Sequence, residues 1–265
     1  MVLDSAIRSS STLAANRGSA PIGSRTDIPP AGLAPSGYTE FVHPLILGVD
    51  ATREHGSLAL LRGGEFVEEV LLHSPSGFAH VLFGELEALL RRHGIAARQI
   101  DCFAAASGPG SFTGVRVGLA FVKGLADALG KAAAGVSNLQ ALASLGSAPL
   151  RAAIIDARRG EIYGAVYDAS GRLISPETVT KLESWVAALP DGDLEFLSAD
   201  PGLPGAALCG TRFATARVVA APQAMAAAVG RIALVRQRTG AACDPAALDA
   251  NYVRRSDAEL LWKDR

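Results

Sequence analysis

The sequence predicts an α/β fold made of two copies of one ββαβα-type unit, and three features carry that expectation. A short apolar run ending in aspartate, Leu45–Asp50 (LILGVD), recurs as Ala152–Asp156 (AAIID). Each run leads through a turn into a second short strand, then a Gly-containing turn and a third strand. Segments with helical periodicity follow the first set of strands. Self-similarity over so long a period is the mark of duplicated units. The dipeptide Asp-Ala is shared by both copies, at Asp50-Ala51 and Asp156-Ala157.

Taken in order, residues 1–42 are rich in Ser, Ala, Pro and Gly and include Pro29-Pro30. Such a stretch buries too little apolar surface to offset its ordering entropy, so it is expected to be a disordered N-terminal extension. Strands are expected over Leu45–Asp50, Ser57–Arg62 and Glu65–Leu72, with turns at Ala51–Gly56 and Gly63-Gly64. A helix is expected over Gly77–His93, because Val81, Leu82, Leu86, Leu89 and Leu90 repeat at helical spacing and Gly94 follows. Ile100–Ala106 reads as a buried strand. SGPGSFTG then opens a second helix that runs to Leu129 and stops at Gly130. Ser137 caps a helix over Asn138–Leu145. In the second copy, strands are expected at Ala152–Asp156, Glu161–Tyr167 and Arg172–Thr180, with turns at Ala157–Gly160 and Ser170-Gly171. Pro190–Pro204 reads as a loop and Gln223–Arg238 as an Ala-rich helix. The expected division is 43–146 for the first subdomain and 147–265 for the second with its terminal helix and tail. Two linked units of this kind point to the actin-like ATPase (ASKHA, ribonuclease H-like) fold. There, Asp-led hairpin turns from both halves normally grip a nucleotide phosphate in the cleft between them.

Composition narrows the function. There are 25 basic and 26 acidic residues, which argues against nucleic-acid binding through an overall positive field and leaves only a local basic patch open. Cys102, Cys209 and Cys243 form no C-x-x-C pair, so a reducing compartment without a zinc site is expected. No apolar stretch reaches the roughly 18 residues of a membrane span, and the N-terminus lacks the apolar core of a signal peptide. A cytoplasmic protein with no membrane contact is the expectation.

Phosphate-gripping turns need exposed backbone N–H groups, which Gly supplies best. Here the turns are Asp50-Ala51-Thr52-Arg53 and Asp156-Ala157-Arg158-Arg159-Gly160, neither of them Gly-rich. Asp50, Thr52, Asp156 and Arg158 therefore read as a degenerate phosphate site. Asp50 and Asp156 either hold a magnesium ion or, as favoured, accept backbone N–H groups that shape their own turns. Ser107–Gly118 has the spacing G-x-G-x-x-x-G, one residue off a dinucleotide fingerprint. Pro109 and Thr113 flank Ser111 where a nucleophile elbow needs glycines. No H-x-x-x-H or H-E-x-x-H pair exists, so no metal or catalytic residue is assigned.

The second helix carries Gly114, Gly118 and Gly124 in its interior, each costing about 1 kcal/mol against Ala. Gly114 and Gly118 share a face that would admit another helix closely. Val115, Leu119 and Val122, with Val117, Phe121 and Leu125, ring the rest, and a helix apolar all round is covered all round. The cover is either this chain's own core or a second protein. With the first helix beside it, the pair offers a candidate partner face of Val81, Leu82, Leu86, Leu89, Gly114, Val115, Gly118, Leu119 and Val122.

ILGVDAT, SGPGSFTGVRVGLAFVKGLA, GVSNLQALA and IIDARRGEIYGAVYD resemble, in order and spacing, the TsaB (YeaZ) family. Asn251-Tyr252-Val253-Arg254 resembles its closing P-x-Y-x-R segment, and Phe78 stands where members often carry His. The resemblance spans roughly Leu45–Arg255. It implies an actin-like fold with degenerate nucleotide motifs and no catalysis of its own, despite the family's peptidase M22-like label. It implies a heterodimer with TsaD through a bundle of the first two helices of each subunit, joined by the ATPase TsaE. The complex modifies the adenosine 3′ of the anticodon in tRNAs reading ANN codons. ATP and threonylcarbamoyl-adenylate are used by that complex rather than bound tightly here, tRNA is met through it, and self-pairing uses a similar face. The alternatives are an independent actin-like ATPase or kinase, which needs Gly-rich turns, and a peptidase, which needs a zinc pair or nucleophile.

Overall fold

The computed structural model describes residues 43–242 and 244–254, so the expected N-terminal extension, Cys243 and the tail from 255 lie outside the described residues. Ten strands and six α-helices are placed among them: β1 (Leu45–Asp50), β2 (His55–Arg62), β3 (Glu65–His73), α1 (Leu82–Arg92), β4 (Cys102–Ala106), α2 (Phe112–Leu129), β5 (Ala132–Val136) and α3 (Asn138–Ala143) come first. Then follow β6 (Leu150–Arg158), β7 (Glu161–Asp168), β8 (Leu173–Thr180), α4 (Leu182–Ala187), β9 (Leu194–Ser198), α5 (Gly202–Leu208), β10 (Val218–Ala220) and α6 (Ala226–Arg238).

The duplication is visible in the pairing. The first sheet has the order β3-β2-β1-β4-β5 and the second β8-β7-β6-β9-β10. In each, the Asp-ended strand is central, antiparallel to the hairpin strand on one side and parallel to a crossover strand on the other. This is the actin-like α/β arrangement. Strand alternation splits the core into layers. Leu47, Val49, Leu58, Leu60 and Phe103 face α1 and α2. Ile46, Leu61 and Ala104 face α3, α6 and the inner side of the second sheet. Ile154, Val166 and Phe196 face α4 and α5.

Three expectations are corrected. The Pro190–Pro204 loop holds β9 and the start of α5, and β9 is buried at all five positions. Flanking prolines and glycines hid a strand whose short run, LEFLS, has too few residues to show a period. The first helix starts at Leu82 rather than Gly77. Gly77 takes φ +92°, and Phe78 to Val81 close a single turn whose Phe78 ring is buried. The 146/147 boundary separates the sheets but not the helices. α6, from the second half, packs on β1, β2 and β4, while α3, from the first, packs on β6 and β7.

One contact places α2. A Cβ on Gly114 would stand 2.0 Å from the Ala51 carbonyl oxygen, so only a glycine lets the helix reach the β1 turn this closely. Gly118 continues the same face, with the Ala51 methyl 3.7 Å from where its Cβ would be. Ser111 caps the helix by accepting the Gly114 N–H at 3.3 Å, and left-handed Gly130 ends it. Above Gly124, on the opposite side, nothing lies within 4 Å. Gly114→Ala should therefore cost about 2–3 kcal/mol in urea unfolding through overpacking. Gly124→Ala should gain up to about 1 kcal/mol, because the open side asks for no glycine.

Candidate functional site

The Asp-led turns of β1 and β6 meet in a cleft of about 720 Å³ between the two sheets. Asp50, Thr52, Arg53, Ser111, Asn138, Asp156, Arg158 and Asp200 supply its polar lining, and Leu142, Ile154, Leu203, Met225 and Val229 much of its apolar lining.

The first turn spends its polar groups on itself. Asp50 is buried, and its Oδ1 accepts the Thr52 N–H at 2.9 Å and the Thr52 hydroxyl at 2.6 Å. Its Oδ2 pairs with the Arg53 guanidinium at 3.5 Å. Thr52 Oγ1 accepts in turn from the Asn138 side-chain amide. The Thr52 carbonyl accepts the Ser111 N–H at 2.8 Å, which ties the turn to the start of α2. A phosphate arriving here would meet a carboxylate and an amide already engaged. In the second turn, Asp156 Oδ1 accepts the Arg158 N–H at 2.8 Å, and its Oδ2 lies 3.4 Å from the Arg158 guanidinium. Arg158 and Arg159 both take left-handed backbone, at φ +64° and +58°, ahead of Gly160. In both turns the aspartate accepts a backbone N–H of its own loop.

The polar centre of the fold was not legible. Asn138, the first residue of α3, exchanges two hydrogen bonds with Gly108: its N–H donates to the Gly108 carbonyl at 2.8 Å, and its Oδ1 accepts the Gly108 N–H at 3.1 Å. Asn251 donates from its backbone to the Ser107 carbonyl at 2.8 Å and from its side chain to Glu177 Oε2 at 2.6 Å. Glu177 on β8 also accepts the Tyr167 hydroxyl at 2.6 Å and the Ser137 hydroxyl. The segment 248–254 is therefore a strap from the first half to the second. Arg254 completes it, donating to the Ala157 carbonyl at 2.9 Å and to Glu161. Ser137 was legible as a cap, and the Asn251–Arg254 string as a motif. Glu177, an ordinary acid in an exposed-looking strand, gave no signal.

Eight of the nine candidate partner-face residues are buried within this chain, and Val81 is half-buried. Leu82, Leu86, Leu89, Val115, Leu119 and Val122 belong to the first core cluster, with Val81 packed partly buried against it. Gly114 and Gly118 are buried against the β1 turn. Gly114 gives a close approach within this chain, and Gly118 lies along the same face. What α1 and α2 turn outward is different: Phe83, 62% exposed, stacked edge-to-face at 4.8 Å on Phe121, and the row Phe112, Arg116, Ala120, Gly124 and Ala128. Among the described residues no group of three or more His, Cys, Asp or Glu is placed to hold a metal ion, and no helix is long and apolar enough to cross a membrane.

Burial raises the Tyr167 hydroxyl far above its ordinary value, and the hydrogen bond to Glu177 adds to the shift. Its neutral form is thus favoured in the folded chain. The stability this supplies is complete below the unfolded value near pH 10 and declines as pH rises beyond it, because the unfolded chain then releases the proton first. Tyr167→Phe should cost about 1–2 kcal/mol at neutral pH, as a hydrogen bond to a carboxylate is lost. Denaturant titrations should also show a shallower decline above about pH 10 for the variant than for the wild type.

Comparison with known proteins places the chain. The family model for TsaD, tRNA N6-adenosine threonylcarbamoyltransferase, matches residues 77–199. The tRNA threonylcarbamoyladenosine biosynthesis protein TsaB of Bacillus subtilis is 30% identical over 165 residues, covering 60% of this chain and 72% of that one. The TsaB of Escherichia coli is 33% identical over 144 residues, covering 52% of this chain and 62% of its own. Two solved structures from Pseudomonas aeruginosa are similar. YeaZ aligns with a TM-score of 0.66 at 26% identity, over 79% of this chain and 99% of that one. A protein described as uncharacterized with similarity to peptidase YeaZ aligns with a TM-score of 0.68 at 27% identity, over 80% and 100%.

Proposed function

The chain belongs to the TsaB family of tRNA threonylcarbamoyladenosine biosynthesis proteins, and from that premise we propose that it is the non-catalytic, activating partner of the transferase subunit, TsaD. In this reading TsaD carries the transfer and TsaE hydrolyses ATP. The complex takes threonylcarbamoyl from its adenylate to the adenosine beside the anticodon.

The single observation that carries the reading is the two-sidedness of α2. Its inner face is committed to the β1 turn and the first sheet. Its outer face keeps Ala120, Gly124 and Ala128 in one exposed row, with Phe83 of α1 beside it. Three small residues four apart admit a second helix closely, and an aromatic at their edge supplies buried area once covered. A helix interior glycine with no neighbour inside the chain is costly, and an external helix offsets that cost. The engaged Asp50 turn supports the non-catalytic part, since nucleotide chemistry needs donors free to meet phosphate. Without TsaD, a second copy of the chain covers the same row.

Reconstitution tests this directly. TsaD and TsaE with this chain should form threonylcarbamoyladenosine on an unmodified tRNA, and omission of the chain should abolish or strongly reduce it. Gly124→Arg should abolish co-purification with TsaD while leaving the thermal midpoint of the isolated chain within a few degrees. Survival of pairing in that variant would remove α2 as the docking surface. Tight, one-to-one binding of Mg-ATP to the isolated chain in calorimetry would favour an independent ATPase instead.

A further inference from the structure

Leu142, Leu203, Met225 and Val229 stand on the wall of the cleft between the two sheets, while Asp50, Thr52, Asn138 and Asp156 there bond within the chain. An occupant of this space of about 720 Å³ is therefore recognised mainly through apolar area, as in most pockets of that size. The strap brings the chain to the same wall. The Arg254 side chain donates to the Ala157 carbonyl at 2.9 Å, and its guanidinium lies 5.6 Å over the Tyr163 ring. Ala157 and Tyr163 both line the cleft. Residues 255–265 follow, with the sequence RSDAELLWKDR, in which Leu260, Leu261 and Trp262 form an apolar group between charged neighbours. Six residues beyond Arg254, Leu260 has a reach of up to about 20 Å in extended chain, so the group meets the cleft without displacing the strap. Residues 1–42 join the fold at the other end of β1, where His43 lies against the Gly63 turn.

We propose that residues 255–265 turn back from Arg254 and seat Leu260, Leu261 and Trp262 in the cleft, so that this chain supplies the occupant of its own cleft. A tryptophan side chain covers about 150–250 Å² of apolar surface, and its indole N–H takes an acceptor when buried. Glu54, Ser198 and Asp200 in the lining offer that acceptor. Attachment at Arg254 makes the binding intramolecular, at an effective concentration in the millimolar range. That favours this segment over a free small molecule and over the same segment of a second copy. A seated segment keeps small molecules out of the cleft and joins the two halves a second time, since the lining comes from both. The seat lies within this chain and needs no partner, so it stands whether or not the chain pairs with TsaD.

The chain has two tryptophans, Trp185 and Trp262, so Trp185→Phe leaves Trp262 as the sole one. The test uses the full chain with that change, with Cys102, Cys209 and Cys243 replaced, and with a nitroxide label on a single new cysteine. One label site is Ala199→Cys, exposed at the cleft. The other is Arg98→Cys, ahead of β4 and away from the end where Ala106 lines the cleft. Trp262 emission should lie to the blue of that of a synthetic 255–265 peptide, and iodide should quench it several-fold less. The label on residue 199 should quench it strongly, and the label on residue 98 should not. Leu260→Asp combined with Leu261→Asp should return the emission to that of the peptide, and dilution of the parent chain should change nothing. Peptide-like emission from the parent chain overturns the proposal. Equal quenching from both label sites overturns it by placing the tryptophan elsewhere, and so does quenching from neither. Loss of the blue shift on dilution overturns it too, by giving the cleft to the segment of a second copy. Should Trp185→Phe lower the thermal midpoint sharply, the same readings are taken as the difference between the chain that keeps Trp185 and its Trp262→Phe counterpart.

Discussion

The approach of α2 to the β1 turn is the contact on which the rest depends. Gly114 brings the helix against the Ala51 carbonyl, and the Ser111 N–H holds the Thr52 carbonyl from the helix start. That seating has three consequences. It braces the first turn from behind while Thr52, Arg53 and Asn138 engage its polar groups. It turns the large aliphatic side chains of α2 into the first core. It leaves the small residues Ala120, Gly124 and Ala128, with Phe112 and Arg116 above them, as what the helix shows outside. One glycine thus links a turn whose polar groups bond one another to the outer face of the helix.

Much of the fold was legible because it is repeated and periodic. LILGVD and AAIID end in aspartate, sit at the centre of their sheets and lead into meanders of the same pairing, which is why the duplicated architecture was readable. α2 was readable through the SGPGSFTG run before it and Gly130, which has a mechanical reason to stop a helix, while the Ser111 cap shows only in the structure. β9 was not, because five residues between proline-rich and glycine-rich stretches carry no period, and only the parallel pairing with β6 makes them a strand. Exchange of α3 and α6 between the halves was equally hidden, since helix periodicity states which face is apolar and never which sheet it meets.

The site divides in the same way. That the turns lack the glycines of a phosphate cradle follows from residue types alone, because residues with Cβ atoms and arginine side chains stand there. Thr113, Arg116, Lys123 and Asp127 mark the outer side of α2, but Ala120, Gly124 and Ala128 between them carry no such mark. Gly114 and Gly124 look alike in the sequence. They differ by what stands opposite: a carbonyl oxygen 2.0 Å from a would-be Cβ in one case and open space in the other. The Glu177 centre, which gathers Ser137, Tyr167 and Asn251, arises from long-range packing and has no local signature. In the reading advanced here, the duplicated scaffold keeps its two halves joined by such internal contacts and turns its surface to partners.

Accessibility along α2, read as thiol labelling, reaches the central claim most directly. In a background with Cys102, Cys209 and Cys243 replaced, single cysteines at Ala120, Gly124 and Ala126 are labelled in the free chain and again after addition of TsaD. The account predicts fast labelling at 120 and 124 in the free chain, protection of both in the complex, and no labelling at 126 in either state. Fast labelling at 126, or unchanged labelling at 120 and 124 when TsaD is bound, would contradict it.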